Sequence, residues 1–193
     1  MIDKFTRRSR EEGYRARSVY KLIFLNRKYR LIKRNDKVLD LGCYPGSWLQ
    51  VIKNLNANVV GVDKKQIISM PGVRFILGNI KEEKTINKIK SYGKFDVVLS
   101  DLAPNTSGNK QLDQERSLEL SQIAFNIAKD VLNHKGNFVC KIFQGKEFEE
   151  FLNPIKKYFY FVKSTKPEAS KKKSKEMYVV ALGYKTRKSI QTL

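Results

Sequence analysis

An aspartate and a lysine stand in or beside two apolar runs, in positions suited to proton transfer. Asp101 follows the run Phe95–Ser100, and Lys141 lies within the run Gly136–Phe143. Both runs have the length and composition of buried strands. Burying a lysine ammonium is costly unless the amine is paired or neutral, and Asp101 is the natural partner for Lys141. The two residues therefore predict a polar site at one end of a sheet.

Two further charged residues can join this pair. Glu176 precedes the apolar run 177–182, and it reaches the Lys141 end of the sheet if its strand is antiparallel to the Lys141 strand. Lys21 shares a face with Arg17 on a helix near the N-terminus, although an ordinary solvated lysine is the alternative there. In such a cleft a neighbouring cation depresses the pKa of one lysine and the carboxylates orient it. The neutral amine can then take a proton from a sugar hydroxyl, without a metal.

A small-molecule pocket is predicted beside this cleft. Residues 38–48 have the pattern of a buried strand, a turn containing Gly42 and Gly46, and the start of a helix. The glycine spacing is neither that of a dinucleotide-binding loop nor that of a phosphate-binding loop. Asp63 ends the next strand, where an acidic group in a doubly wound fold accepts hydrogen bonds from ribose hydroxyls. These features suit S-adenosylmethionine, and an ordinary strand-to-helix turn with an incidental acid is the alternative.

Strands that alternate with helices must position these residues. Strands are predicted at 38–41, 58–62, 73–77, 95–100, 136–143, 158–162 and 177–182, and helices at 15–25, 48–55, 82–91, 113–132 and 145–155. The alternation predicts an α/β fold with a parallel sheet, and the last two strands, with no helix between them, an antiparallel pair. We expect one domain over residues 1–193, with a basic helical segment at 1–36 packed on the core and a frayed tail at 184–193.

The positive charge is concentrated in two segments. The formal net charge is +20; residues 1–37 hold 13 Lys or Arg against 4 Asp or Glu, and residues 156–188 hold 11 against 2. Basic flanks around a nearly neutral core indicate an extended polyanion as partner, with a solvated surface as the alternative. The candidate contacts are Arg15, Arg17, Lys171, Lys172 and Lys173.

Composition argues against several classes of protein. The two cysteines, Cys43 and Cys140, and the single histidine, His134, are too few for a disulfide framework or a zinc site. No apolar run is long enough to span a bilayer, and the N-terminus lacks the apolar stretch of a signal peptide. We expect no bound metal, no membrane partner, and a monomer. The expected compartment is reducing: cytoplasmic, or a mitochondrion or plastid if a targeting segment has been removed.

Four sequence motifs, spread over nearly the whole chain, resemble those of a known family. They are Asp40-Leu-Gly-x-x-Pro-Gly-x-Trp48, Ser100-Asp-Leu-Ala-Pro-Asn-x-Ser-Gly108, Lys141-Ile-Phe-Gln-Gly145, and Lys166-Pro followed by Ser174-Lys-Glu-Met-Tyr-Val-Val-Ala181. In combination they resemble the FtsJ/RrmJ family of S-adenosylmethionine-dependent ribose 2′-O-methyltransferases. The resemblance implies a Rossmann-like methyltransferase fold, with a mostly parallel seven-stranded sheet, an antiparallel last strand and helices on both faces. It also implies a catalytic tetrad in which Lys141 is the base: Lys21, Asp101, Lys141 and Glu176.

The resemblance also implies which residues contact the cofactor. Together with Gly42 of the glycine turn, the candidates are Gly46, Trp48, Asp63, Asn79 and Asp101. Family members usually have two alanines where this chain has Cys43-Tyr44. They usually have an aspartate, which would meet the adenine amino group, where this chain has Asn79. The side-chain oxygen of Asn79 can accept the same hydrogen bond.

The function implied by the resemblance is methyl transfer to RNA, because only RNA offers a 2′-hydroxyl, with S-adenosylhomocysteine as product. Compact members of the family resemble enzymes that methylate a uridine of large-subunit ribosomal RNA, so the expected partner is a large ribosomal subunit or its precursor. Two alternatives stay open. One is a 2′-O-methyltransferase of the tRNA anticodon loop, and the other is a non-catalytic RNA-binding ribosome-assembly protein with the same fold.

Overall fold

A computed structural model of the protein describes residues 3–171 and 174–186. Along these residues the helices and strands alternate after two N-terminal helices. Their bounds in chain order are α1 (Lys4–Glu11), α2 (Val19–Tyr29), β1 (Lys37–Leu41), α3 (Ser47–Asn54), β2 (Asn58–Asp63), β3 (Val73–Leu77), α4 (Glu83–Ser91), β4 (Phe95–Ser100), α5 (Lys110–Val131), β5 (Leu132–Phe143), α6 (Phe148–Tyr158), β6 (Phe159–Thr165) and β7 (Glu176–Tyr184).

The strands form one sheet in the order β3-β2-β1-β4-β5-β7-β6. Strands β1 to β5 are parallel to one another, and β7 lies antiparallel between β5 and β6. This topology confirms the expected seven-stranded, mostly parallel sheet. The parallel strands end at one edge, so the polar residues that follow β1, β2 and β4 meet there. Because β7 runs the other way, its first residue, Glu176, lies at that same edge.

Each face of the sheet is covered by helices, as the α/β pattern predicts. Leu39 and Leu41 of β1 lie in the core cluster that includes residues of α4, α5 and α6. Val38 lies in the second cluster, which includes residues of α2 and α3. Alternate residues of a strand point to opposite faces, so Asp40 lies on the Val38 side of the sheet. The basic N-terminal segment packs there through Val19 and Leu22 of α2, both fully buried.

Several element ends differ from those predicted. Helix α2 begins at Val19, not at residue 15, so Arg17 precedes the helix and does not share a helical face with Lys21. Helix α5 begins at Lys110, not at Asp113, because the Asn109 side chain caps its first turn by accepting hydrogen bonds from two main-chain N–H groups. Strand β5 begins at Leu132, since the chain passes directly from α5 into the sheet. Strand β7 continues to Tyr184, so the prediction of a frayed tail from residue 184 is wrong at that residue. Tyr184 is buried and pairs with Phe159, and residues 187–193 lie outside the described residues.

Over the described ranges, no helix combines the length and the apolar character required to cross a membrane.

Candidate active site

The structure brings the four predicted charged side chains into one cluster. The Lys141 Nζ atom lies 3.1 Å from Oδ1 of Asp101 and 2.7 Å from the main-chain oxygen of the same residue. It also lies 3.7 Å from Oε1 of Glu176. The Lys21 Nζ atom lies 3.1 Å from each carboxylate oxygen of Glu176. Two ammonium groups and two carboxylates therefore form a continuous chain from α2 to the end of β4.

Strand register explains why these residues meet. Lys141 of β5 pairs with Tyr178 of β7, and Phe143 pairs with Glu176. Because side chains alternate along a strand, Lys141, Tyr178 and Glu176 point to the same face of the sheet. That face is covered by α2, which contributes Lys21. Asp101 follows β4 directly, and its N–H donates to the main-chain oxygen of Leu41, which holds the end of β4 against β1.

The cluster is largely withdrawn from solvent. Lys21 and Lys141 are 8% and 6% exposed. Burial by itself would raise the pKa of Asp101, but Lys141 and Lys21, with hydrogen bonds from Tyr178 and Lys141, hold that pKa below its usual value. Asp101 is therefore an anion at neutral pH despite its burial. A buried carboxylate of this kind can orient an amine and stabilise its protonated form.

Tyr178 is a member of the cluster that the sequence interpretation did not include. Its hydroxyl donates a hydrogen bond of 2.5 Å to Oδ1 of Asp101, and its ring is fully buried. The Lys21 Nζ atom lies 5.8 Å from the centre of the same ring. A usable signal was present, since Tyr178 follows Glu176 by two residues and must share its face of β7.

Chemically, this cluster can accept and hold a proton at Nζ of Lys141. Three oxygen atoms of Asp101 and Glu176 lie close enough to that nitrogen to stabilise its charged form. General bases of this type need a positioned lone pair within hydrogen-bond reach of the reacting hydroxyl. Within residues 3–171 and 174–186, no group of three or more His, Cys, Asp or Glu side chains gathers in a way that could hold a metal ion.

A cavity of about 470 Å³ opens beside the cluster, at the carboxyl ends of β1, β2, β3 and β4. Four of the predicted ligand-binding residues line it: Gly42, Asp63, Asn79 and Asp101. The turn after β1 requires glycine, because Gly42 has φ of +81° and a Cβ there would lie 2.8 Å from the Leu102 side chain. The volume is in the range of sites that bind small molecules and cofactors.

Polar side chains of the cavity can accept further hydrogen bonds from a ligand. The two carboxylate oxygens of Asp63 each accept one main-chain N–H, from Tyr44 and Lys65, both at 2.9 Å. Oδ1 of Asn79 accepts the N–H of Lys81 at 3.1 Å. Each of these oxygens has a second lone pair, so each can accept a further hydrogen bond from a hydroxyl or amino group.

Two predicted ligand contacts do not line this cavity. Trp48 is 2% exposed, and its indole N–H donates to the main-chain oxygen of Ser18. Gly46 is the N-cap residue that precedes α3, and it lies against the Arg15 side chain. Tyr44, in contrast, lines the cavity and is half exposed, with the Lys65 ammonium 5.2 Å from its ring centre. Roles for Gly46 and Trp48 in binding a ligand stay predictions.

The predicted polyanion contacts have different surroundings. The Arg15 guanidinium donates to the main-chain oxygens of Pro45 and Ile68, at 3.1 Å and 2.9 Å. Arg17 donates to the oxygen of Ala169 and forms an ion pair of 2.8 Å with Asp3. Both arginines therefore bind the protein's own main chain. Lys171 is exposed, while Lys172 and Lys173 lie outside the described residues.

Comparisons with known proteins agree on one family. The model of the FtsJ-like methyltransferases matches residues 14–184. A protein of Wolbachia pipientis named ribosomal RNA large subunit methyltransferase E is 44% identical over 186 residues, which is 95% of this chain and 96% of the relative. A protein of the same name from Archaeoglobus fulgidus is 44% identical over 179 residues, covering 92% and 94%. A crystal structure from Plasmodium falciparum, provisionally assigned as a ribosomal RNA methyltransferase, is 35% identical and covers 90% of this chain and all of its own, with a TM-score of 0.81.

Proposed function

This chain belongs to the FtsJ-like methyltransferase family, and from that premise we propose that it methylates a ribose 2′-hydroxyl of large-subunit ribosomal RNA. The observation that carries the proposal is the placement of Nζ of Lys141. This nitrogen lies between Asp101 and Glu176, at the edge of the cavity that Asp101 also lines. A base at this position would act on a hydroxyl brought against the mouth of the cavity.

The cavity suits S-adenosylmethionine as the methyl donor. Asp63, with a lone pair left on each carboxylate oxygen, matches a ribose diol, and Asn79 offers an acceptor for an adenine amino group. The carboxylate of Asp101 matches the positively charged amino group at the amino-acid end of the cofactor. When bound, S-adenosylmethionine supplies a methyl group activated by a sulfonium centre.

Lys141 would act as the general base. In its uncharged form the amine has a lone pair that can accept the proton of the 2′-hydroxyl, which leaves the sugar oxygen as a nucleophile. The resulting ammonium would be stabilised by Asp101 and Glu176, whose oxygens are already in place around Nζ. Proton transfer to a positioned base contributes about 10²- to 10⁴-fold to rate in enzymes generally.

Lys21 and Glu176 would support that base. Glu176 accepts two hydrogen bonds from Lys21, so the Lys21 charge is already balanced when Lys141 is neutral. Asp101 remains an anion because Lys141, Lys21 and Tyr178 lower its pKa against the effect of burial. The two carboxylates, with Lys21 charged, therefore balance the cluster when Lys141 is protonated, which is the state that follows proton transfer.

Ribosomal RNA is the proposed substrate because the relatives reported above carry that activity in their names. The positive charge supports an RNA partner, since each phosphate contact releases counterions. We propose that the protein acts as a monomer on a large ribosomal subunit or its precursor. A reducing compartment is proposed, because the two cysteines, Cys43 and Cys140, are too few for a disulfide framework.

The decisive experiment measures transfer of a radiolabelled methyl group. Large ribosomal subunits, free ribosomal RNA and tRNA are offered in parallel to the wild type and to Lys141→Arg, followed by mapping of the modified ribose. Arginine retains the charge but is not deprotonated at neutral pH, so Lys141→Arg should lose at least about 100-fold in kcat while retaining RNA binding. Lys163→Arg, an exposed lysine of β6, is the matched control and should retain activity.

Other results would change the assignment. Transfer to tRNA alone would favour the tRNA alternative. Inactivity of the wild type on all three RNAs, with a folded protein that binds RNA, would favour the non-catalytic alternative. Full activity of Lys141→Arg would remove Lys141 as the base.

A further inference from the structure

Arg15 joins two loops that flank the start of α3. It lies in the segment between α1 and α2, and its Nη1 atom donates to the main-chain oxygens of Pro45 and Ile68. Its Nη2 atom lies 3.5 Å from the main-chain oxygen of Ser69. Pro45 belongs to the glycine turn after β1, and Ile68 and Ser69 belong to the segment between β2 and β3. One side chain therefore connects two segments that have no regular secondary structure.

The neighbouring main chain strengthens this connection. The N–H of Arg15 donates to the side-chain oxygen of Gln50, and the Gln50 amide donates in turn to the oxygen of Gly13, both at 3.0 Å. The hydroxyls of Ser18 and Ser47 lie 2.9 Å apart. These contacts tie the first turns of α3 to residues 13–18. The segment before α2 is therefore bound to the glycine turn and is not a free basic arm.

Gly46 shows how closely Arg15 approaches the turn. Its φ is +106°, a conformation that favours glycine, and a Cβ at this position would lie 2.7 Å from Nη1 of Arg15. The guanidinium thus packs directly on the main chain of Gly46. The Arg15 guanidinium therefore contacts the turn between Gly42 and Ser47 in two ways: it packs on Gly46 and donates a hydrogen bond to the main-chain oxygen of Pro45.

We propose that Arg15 is a positioning residue for the cofactor-binding turn, and that its role in the reaction is to hold residues 42–47 in the conformation that receives the methyl donor. The inference rests on the proposed function for the identity of that ligand. Arginine suits the task because its planar fork can reach several carbonyl oxygens at once, whereas lysine offers a single charged point. An RNA phosphate would have to compete with these main-chain oxygens for the same N–H groups.

The test compares Arg15→Ala and Arg15→Lys with Arg10→Ala. Arg10 is an exposed residue of α1, so its substitution removes the same charge from the same segment without touching the turn. Calorimetry measures the Kd of S-adenosylhomocysteine, and filter binding measures the Kd of purified large-subunit ribosomal RNA at several salt concentrations. Amide hydrogen exchange of the ligand-free proteins follows residues 42–47 and 66–71 directly.

For Arg15→Ala we expect S-adenosylhomocysteine to bind about tenfold more weakly, with faster exchange in both segments, while RNA affinity falls no more than in Arg10→Ala. Arg15→Lys should show most of the same loss, because one ammonium cannot replace the fork. Unchanged exchange and an unchanged Kd for S-adenosylhomocysteine in a folded Arg15→Ala would overturn the proposal. A loss confined to RNA affinity would instead make Arg15 the RNA contact that the charge pattern predicts.

This result is separable from the proposed function. A wild type that fails to bind S-adenosylhomocysteine would contradict the proposed cofactor. Hydrogen exchange would still decide whether Arg15 orders the turn, because that measurement needs no ligand.

Discussion

Tyr178 donates a hydrogen bond to Asp101, on the same carboxylate oxygen that lies 3.1 Å from the Lys141 ammonium. The tyrosine and the lysine are paired across β7 and β5, so the sheet holds both donors against one acceptor. Asp101 in turn is fixed at the end of β4. The geometry of the proposed base thus depends on a neutral hydroxyl that does not itself transfer a proton in the proposed reaction.

Tyr178→Phe should lower kcat by about 10- to 100-fold, because a hydrogen bond to a charged group typically contributes about 1.5–3 kcal/mol. The Kd of S-adenosylhomocysteine and the KM for RNA should change by less than about threefold, since the hydroxyl would touch neither ligand. Steady-state kinetics and calorimetry measure these quantities.

The control for this substitution is Tyr184→Phe. It removes a hydroxyl that donates to the main-chain oxygen of Lys129 in α5. Tyr184 ends β7, the strand that begins with Glu176, so it lies at the other end of that strand from the cluster. Equal activities of the two variants would show that the Tyr178 hydroxyl has no special role in catalysis.

We expect substitutions of Lys21 and Glu176 to have strongly non-additive effects on the free energy of unfolding. Their side chains are only 10% and 18% exposed. Glu176→Gln therefore leaves the Lys21 charge without its carboxylate partner, and Lys21→Met leaves Glu176 with only Lys141, 3.7 Å away. Each single change should lower the free energy of unfolding by about 3 kcal/mol, and the double variant should lose less than the sum. Urea denaturation of all four proteins gives the coupling energy.

The exposed pair Lys81 and Glu119 provides the comparison for that cycle. Its side chains are 45% and 52% exposed, and such pairs couple by only about 0.2–1 kcal/mol. A coupling between Lys21 and Glu176 in this low range would contradict the burial argument.

Because of Asp40, we expect the free energy of unfolding of the protein to fall as the pH rises. This residue is fully buried on β1, and neither of its oxygens has a hydrogen-bond partner among the described residues. Burial, with the charges of Asp101 and Asp63, raises the pKa of Asp40 well above its usual value. The folded protein therefore keeps a proton that the unfolded chain releases above about pH 4.

Asp40→Asn tests this linkage, because asparagine cannot lose that proton. Relative to wild type, the variant should gain about 1.4 kcal/mol of stability per pH unit from about pH 4 up to the folded-state pKa. Urea denaturation at a series of pH values measures the slope, with the exposed Asp130→Asn as control. A difference in stability that does not vary with pH would show that Asp40 is already ionised in the folded protein.

The strand residues of the charged cluster were predictable because strand order and alternation determine their positions, whereas Lys21 comes from α2. Asp101 follows a parallel strand, Lys141 interrupts an apolar one, and an antiparallel β7 must begin at the same edge with Glu176. Because strands pair in a regular register and their side chains alternate between the two faces, the position of a residue along a strand determines where its side chain lies. The same rule places Tyr178, which is two residues after Glu176 on β7 and therefore on the same face.

The surroundings of Arg15 and Trp48 were not predictable in this way. Residues 15–18 were predicted to begin a helix but precede α2 in the structure, so the helical period does not give the direction of their side chains. A basic residue there predicts a polyanion contact, whereas the structure places Arg15 on the oxygens of Pro45 and Ile68. Those acceptors belong to loops distant in the sequence, and only the folded chain brings them together.

Asn79→Asp should strengthen binding of the proposed cofactor. The resemblance noted above places an aspartate at this position in related enzymes, and here Asn79 lines the cavity with Oδ1 accepting the N–H of Lys81. A charged acceptor forms a hydrogen bond about twice as strong as a neutral one. The Kd of S-adenosylhomocysteine, measured by calorimetry, should therefore decrease by about three- to tenfold.

The amino group of the adenine is the feature that this prediction depends on. S-inosylhomocysteine lacks that group, so Asn79→Asp should bind it no better than wild type does. Asn105→Asp adds the same charge elsewhere in the cavity lining and separates a general electrostatic effect from the specific hydrogen bond. If both variants gain equally, or if the gain persists with the inosine analogue, Asn79 does not contact the adenine amino group, and the cofactor lies differently in the cavity.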